Sequence, residues 1–130
     1  MIVPDASAVI ALLLRVSAGS PLEKRLLGAR ALGVPHLLDL EVVQVLRRYV
    51  REGEMSEERA REAIEDLRDL PLERYPHEVL ISRIWELRKN ATAYDAAYLA
   101  LAEVLDATFV TLDRRLAAVP GSNAKVEVFA

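Results

Sequence analysis

The chain has 130 residues, no cysteine and a formal net charge of −3, with 52% hydrophobic and 28% charged side chains. That length fits one domain and not two, and the missing cysteines exclude disulfides, thiolate zinc sites and thiol catalysis. The charge excludes a protein that holds nucleic acid mainly by being strongly basic, and the composition is that of a folded soluble domain rather than a disordered tail.

Residues 1–4 read as a short buried strand, which Pro4 should end because it removes a ladder donor. Asp5 or Ser7 then caps a helix over 9–15, broken by Gly19-Ser20-Pro21. A second helix is expected over 22–32 with Gly33 as its stop, followed by a strand over 34–37. The next helix runs from Leu38 to Val50, with Gly53 closing it. Ser56 and two acids mark the start of a helix that carries Ala60, Ile64 and Leu67 and stops at Pro71. A strand over 72–75 and a helix over 78–89 follow, the latter with Val79, Ile81, Ile84, Trp85 and Leu87 as its apolar residues. Thr92 caps a helix over 94–105 that is apolar nearly all round, and so central and buried. The clearest strand is 108–112, with Asp113 directly after it; a short helix over 114–119, a Pro120-Gly121 turn and a strand over 125–129 complete the chain. Strands alternating with helices imply an α/β fold, a parallel sheet with helices on both faces.

Ligands of such a sheet gather at the carboxyl ends of its strands. Asp5 and Asp113 each follow a strand, while Glu41 and Asp95 sit in the first turns of helices. Taken singly, each acid reads equally well as a cap or a dipole-friendly residue; Thr92-x-x-Asp95 even has the form of a capping box, and Asp39 competes with Glu41. Four on one rim would repel and raise one another's pKa. A hard divalent cation removes that penalty, so the set Asp5, Glu41, Asp95 and Asp113 is expected to bind Mg2+ or Mn2+ and to suit metal-assisted phosphodiester hydrolysis. With those four acids set aside, 17 basic side chains face 16 acidic ones, and RNA is not disfavoured. His36 and His77 are too few for a histidine cluster, and neither has a nucleophile beside it. The apolar run 8–14 is too short to cross a membrane and has no signal-peptide character, so no membrane association and a cytoplasmic location are expected.

Four blocks carry a family resemblance: Met1-Ile-Val-Pro-Asp-Ala-Ser-Ala-Val, His36-Leu-Leu-Asp-Leu-Glu-Val-Val-Gln-Val-Leu-Arg-Arg, Asn90-Ala-Thr-Ala-Tyr-Asp-Ala-Ala-Tyr-Leu-Ala-Leu-Ala and Thr111-Leu-Asp-Arg-Arg-Leu. In this order and spacing the chain resembles PIN-domain nucleases over essentially its whole length, and specifically the VapC-type toxins of bacterial toxin–antitoxin pairs. The resemblance implies a single PIN domain over 1–130, a three-layer α/β/α sandwich with a central parallel sheet, and Mg2+- or Mn2+-dependent endoribonuclease activity on structured RNA such as tRNA or rRNA. It assigns the acidic quartet to Asp5, Glu41, Asp95 and Asp113, with Thr111 and Ser7 in support. It also implies a cognate VapB-type antitoxin and a homodimer, for which the wealth of Leu, Val and Ala leaves apolar surface.

Arg88 and Arg114, beside the motifs, and Arg48 and Arg15 are candidates for gripping RNA phosphates. Tyr94, Tyr98 and Trp85 could stack on bases, although core or interface packing is the expectation for Tyr98 and Trp85. Two related readings stay open, a housekeeping RNA-processing nuclease of the same fold and a binding module with a vestigial metal site. A phosphoaspartate-type phosphatase is disfavoured because Ser7 stands where a second aspartate is wanted.

Overall fold

The computed structural model describes residues 1–16 and 18–130. Five parallel strands, β1 (Ile2–Pro4), β2 (Leu32–Pro35), β3 (Leu72–Tyr75), β4 (Thr108–Thr111) and β5 (Lys125–Val128), form one sheet in the order β3-β2-β1-β4-β5. The helices are α1 (Ala6–Leu13), α2 (Pro21–Leu27), α3 (Leu37–Arg51), α4 (Glu57–Asp69), α5 (Ile81–Glu86) and α6 (Ala93–Leu105). Successive side chains of a strand point to opposite faces. Ile2 and Val110 join Ala8, Ala11, Leu22 and Leu26 in one apolar cluster. Val3 and Phe109 join a larger one with Leu38, Val42, Leu46, Leu67 and Leu99. The sheet thus lies between two helical layers, the expected α/β sandwich. The strand β1, first in sequence, is central and pairs with both β2 and β4.

Capping follows the local chemistry. Ser20, Ser56 and Thr92 accept from the backbone N–H three residues on, in α2, α4 and α6. Asp5 accepts from Ala8 N–H and starts α1. Helix α6 has seven buried residues in succession, Ala96 to Ala102, because it crosses behind β1, β2 and β4.

Three expectations need correction. Helix α2 ends at Leu27, capped by Gly28, rather than reaching residue 32. Gly33 is not a stop but lies inside β2, where a Cβ would come within 3.1–3.2 Å of Leu105, Met1 and Tyr75 side chains. The strand accordingly starts two residues earlier than its apolar pattern suggested. The segment expected as one helix over 78–89 is a 3-10 turn, Glu78–Leu80, leading into the short α5. It buries Leu80 and Leu87, while Val79, Ile81 and Trp85 are exposed, Trp85 at 66%. Trp85 is therefore not a core residue in the monomer.

Candidate active site

At the carboxyl ends of β1 and β4 the backbone turns into helical structure, and these turns carry the first pair of acids. Asp5 follows β1 and is buried. Its Oδ1 accepts from Ala8 N–H at 3.1 Å and from the Ser7 hydroxyl, and its Oδ2 accepts from the Thr111 hydroxyl. Both hydroxyls are themselves fixed by accepting backbone N–H groups, Ser7 from Leu112 at 3.1 Å and Thr111 from Asp113 at 3.0 Å. The supporting positions Ser7 and Thr111 thus lock the Asp5 carboxylate and tie β1 to the end of β4. Burial raises the Asp5 pKa, against the lowering effect of these hydrogen bonds.

Helices α3 and α6 supply the second pair. Glu41 is half-buried and accepts a 2.6 Å bond from the Tyr98 hydroxyl. Burial raises its pKa, with repulsion from Asp95 and Asp5 adding to the rise. The Asp95 backbone N–H donates to the Thr92 hydroxyl, which leaves its own side chain to the site. Its pKa is raised by burial first and then by Asp5 and Asp113. Asp113 differs: Arg115 holds it bidentately, at 3.1 and 2.7 Å, and keeps its pKa below the usual range.

All four acids, with Ala6, Ser7, Tyr98 and Leu116, line one recess of about 180 Å3. A wider groove of about 620 Å3 lies between α3 and α4, but apolar and arginine side chains line it with a single acid, Glu57. The recess is the candidate site because of its chemistry, not its size. Its donors are all carboxylate oxygens, the set a hard divalent cation prefers, and three of them carry pKa values that a nearby cation would bring down. Among the described residues no three such groups stand as a finished metal cage; Glu41 is drawn to Tyr98 and Asp113 to Arg115. The donor set fits a divalent cation, and the Asp113–Arg115 pair, which takes both carboxylate oxygens, is what its binding would have to rearrange.

The four candidate arginines lie at different places around the fold. Arg88 stacks on Trp85, its guanidinium 4.4 Å from the ring centre, and donates to the Trp85 carbonyl. Arg48 lies over Tyr49 at 5.5 Å. Arg15 borders a separate depression with Glu23 and Asp66. Arg114 is exposed beside Asp113 on the 3-10 turn Arg114–Leu116, but it is the neighbouring Arg115 that engages the carboxylates. Tyr98, assigned to packing, is fully buried and also binds Glu41. Its hydroxyl, buried within the apolar run Ala96–Ala102, was the signal, since such a group must find a partner. His36 makes no side-chain cap bond to α3, and Asp39 pairs with Arg74 at 2.8 Å rather than capping that helix.

The PIN domain family model matches residues 2–122. Ribonuclease VapC1 of Mycobacterium tuberculosis is 45% identical over 127 residues, 97% of this chain and 96% of that protein. A chain of VapBC2 from Rickettsia felis, solved bound to a DNA fragment from their promoter, superposes with a TM-score of 0.73 at 14% identity, covering 100% of both chains. One from a toxin-antitoxin complex of Klebsiella pneumoniae gives 0.66 at 19% identity, covering 98% and 97%. The chain belongs to the PIN-domain family, in its VapC-type branch.

Proposed function

We propose that the chain is the toxin of a toxin–antitoxin pair, an endoribonuclease that uses Mg2+ or Mn2+ to hydrolyse phosphodiester bonds in structured RNA such as tRNA or rRNA. The observation that carries this is the convergence of Asp5, Glu41, Asp95 and Asp113, from four separate parts of the chain, on one recess. The ribonuclease name of its 45% identical relative supports the same reading. Asp5, locked by Ser7 and Thr111, and Asp95 would hold the metal most directly. Glu41 is positioned by Tyr98, and Asp113 joins when Arg115 releases it. Divalent cations in this recess would activate the attacking water and neutralise charge on the phosphate. The protein's own part is to present the carboxylate oxygens together on one recess, walled by Ala6, Leu116 and Tyr98.

A VapB-type antitoxin partner is proposed on the likeness to toxin chains solved in VapBC and toxin-antitoxin complexes. Exposed Val79, Ile81 and Trp85 supply apolar surface suited to a homodimer. A cytoplasmic location follows from an RNA substrate; among the described residues no helix is long and apolar enough to cross a membrane. The test is cleavage of tRNA and rRNA with Mg2+ or Mn2+ by wild type, Asp5→Asn and Asp95→Asn. Wild type is expected to cut and both variants to lose roughly a hundredfold or more in rate. Variants that cut as well as wild type would overturn the proposal.

A further inference from the structure

The carboxylate recess does not stop at Glu41. That residue also lines a second depression of about 470 Å3, together with Leu37, Leu40, Gln44, Val45 and Tyr94. Positions 37, 40, 41, 44 and 45 recur at the three-and-four spacing of one helical face, so this depression runs along α3 away from the site. Tyr94 enters from α6, directly before Asp95. The two hollows therefore share a wall, one side carboxylate and the other side carbon.

The second hollow is lined by one charged residue, Glu41, and by no basic one. It cannot be a track for phosphates, which need Lys, Arg or backbone N–H donors. Its floor is unusually open for apolar residues, with Leu40 74% and Tyr94 65% exposed. What fits beside a phosphodiester site on a flat, uncharged shelf is the uncharged part of a nucleotide. We infer that this shelf is a nucleobase subsite, in which an unstacked base adjoining the scissile phosphodiester stacks on Tyr94 beside Leu40, with the Gln44 amide available to its edge. The inference rests on the nuclease reading above and names the part of the substrate that this reading leaves open.

The other aromatic side chains argue the same way by their occupation. Tyr98 is 1% exposed and bonded to Glu41. Trp85 and Tyr49 carry the guanidinium groups of Arg88 and Arg48. Tyr75 is bonded to Glu73. Tyr94 alone of the five Tyr and Trp residues is both widely exposed and adjacent to a site carboxylate. The groove between α3 and α4 is larger and rimmed by Arg47, Arg51 and Arg61, but it shares no residue with the carboxylate recess. A base must leave its stack to lie on the shelf, so cleavage is directed to unpaired nucleotides, loops above all.

The test uses a single-stranded oligoribonucleotide chosen from a random-sequence pool as one that wild type cuts, plus versions with an abasic ribose at each position flanking the cut. Tyr94→Ala is expected to lower kcat/KM on the intact RNA by roughly tenfold, the usual worth of one base–aromatic stack, while Tyr94→Phe keeps the wild-type value. At one flanking position the abasic substitution slows wild type by a similar factor and slows Tyr94→Ala no further. Gln44→Ala should relax base choice at that same position. Tyr94→Ala cleaving like wild type, or losing equally on intact and abasic RNA at every position, overturns the subsite. So does a loss accompanied by a change in sedimenting mass, which would make the shelf a contact between copies of the chain. If wild type cuts neither the pool nor tRNA and rRNA, the nuclease reading falls and the subsite with it; if it cuts tRNA or rRNA but no member of the pool, or cuts the pool but is blind to Tyr94, the subsite alone falls.

Discussion

The Tyr98 hydroxyl donates a 2.6 Å hydrogen bond to Glu41, 57 residues away in sequence, and so links the buried helix α6 to the rim helix α3. It lowers the Glu41 pKa, which burial and two neighbouring carboxylates raise. The burial of the phenol likewise raises its own pKa, so it stays a donor across the physiological range. Removing this donor leaves a half-buried carboxylate with an unmet acceptor. Tyr98→Phe is expected to cost about 1 kcal/mol in stability and to weaken Mn2+ binding at pH 6 more than at pH 8. Denaturant melts and calorimetric titrations at both pH values check this; a pH-independent effect would reduce Tyr98 to packing.

Metal loading should be lost on acidification sooner than ordinary carboxylates would predict. The sign follows from Asp5, Glu41 and Asp95, whose pKa values are all raised. A cation binds the ionised forms, which are lost as pH falls through those raised values. The acid limb of RNA cleavage is therefore expected above the usual Asp and Glu range. A rate profile from pH 4 to 8 at fixed Mg2+ locates it, with a limb at ordinary carboxylate values as the contrary result.

Asp95→Asn should stabilise the metal-free protein while abolishing cleavage. The native carboxylate is disfavoured by burial and by repulsion from Asp5 and Asp113, and neutralising it relieves both. A gain of about 1 kcal/mol in EDTA is expected, a few degrees in Tm. Added Mg2+ should raise the wild-type Tm and leave the variant's unchanged. A variant less stable than wild type in EDTA contradicts the repulsion argument.

Arg115 competes with any cation for Asp113, since its fork occupies both carboxylate oxygens. The arginine is 87% exposed, so solvent screens the pair and its hold is modest. Arg115→Ala is expected to tighten Mn2+ binding by roughly two- to fivefold. Unchanged affinity in calorimetry would show that the pair imposes no barrier.

Away from the site, Arg83 holds Glu103 through two bonds at 2.8 and 3.0 Å and also donates to the Gly121 carbonyl. Glu103 is kept below its ordinary pKa chiefly by that bond. Its stabilising effect is thus complete above the ordinary glutamate pKa and is lost as pH falls through the depressed value. Arg83→Ala should cost about 1 kcal/mol at pH 7 and flatten the acid-side decline of stability below the glutamate range. Melts at pH 3, 4 and 7 compare the two.

The parts of this architecture governed by local rules were legible in the sequence. Caps at Ser56 and Thr92, the buried α6 and the β4 strand with Asp113 behind it all follow from neighbours in the chain. The strand ends and first helical turns that carry the four acids are local features too, but taken singly each acid also reads as a cap, and the family resemblance is what singled out Glu41 over Asp39. What escaped depends on contacts across the fold. Gly33 looked like a helix stop because nothing nearby reveals that Leu105 and Met1 crowd it. The Glu41 partner lay on another helix. Arg114 and Arg115 are adjacent basic residues, and only the path of the 3-10 turn decides which reaches Asp113. Trp85 has the spacing of a core residue, yet the buried residues are Leu80 and Leu87, which flank the short α5.

The central place of β1 has a consequence for synthesis. Asp5 is made near the start of translation, but the hydroxyl of Thr111, which locks it, and the strand that flanks it come more than a hundred residues later. A nascent chain that has not yet delivered β4 lacks Asp113 and leaves one edge of β1 open. Closing so distant a pair is slow compared with forming local helices. The carboxylate recess is therefore among the last features to exist: on the proposed nuclease reading, a half-made copy has no assembled site, and the molecule's capacity to cut is withheld until its synthesis is nearly over.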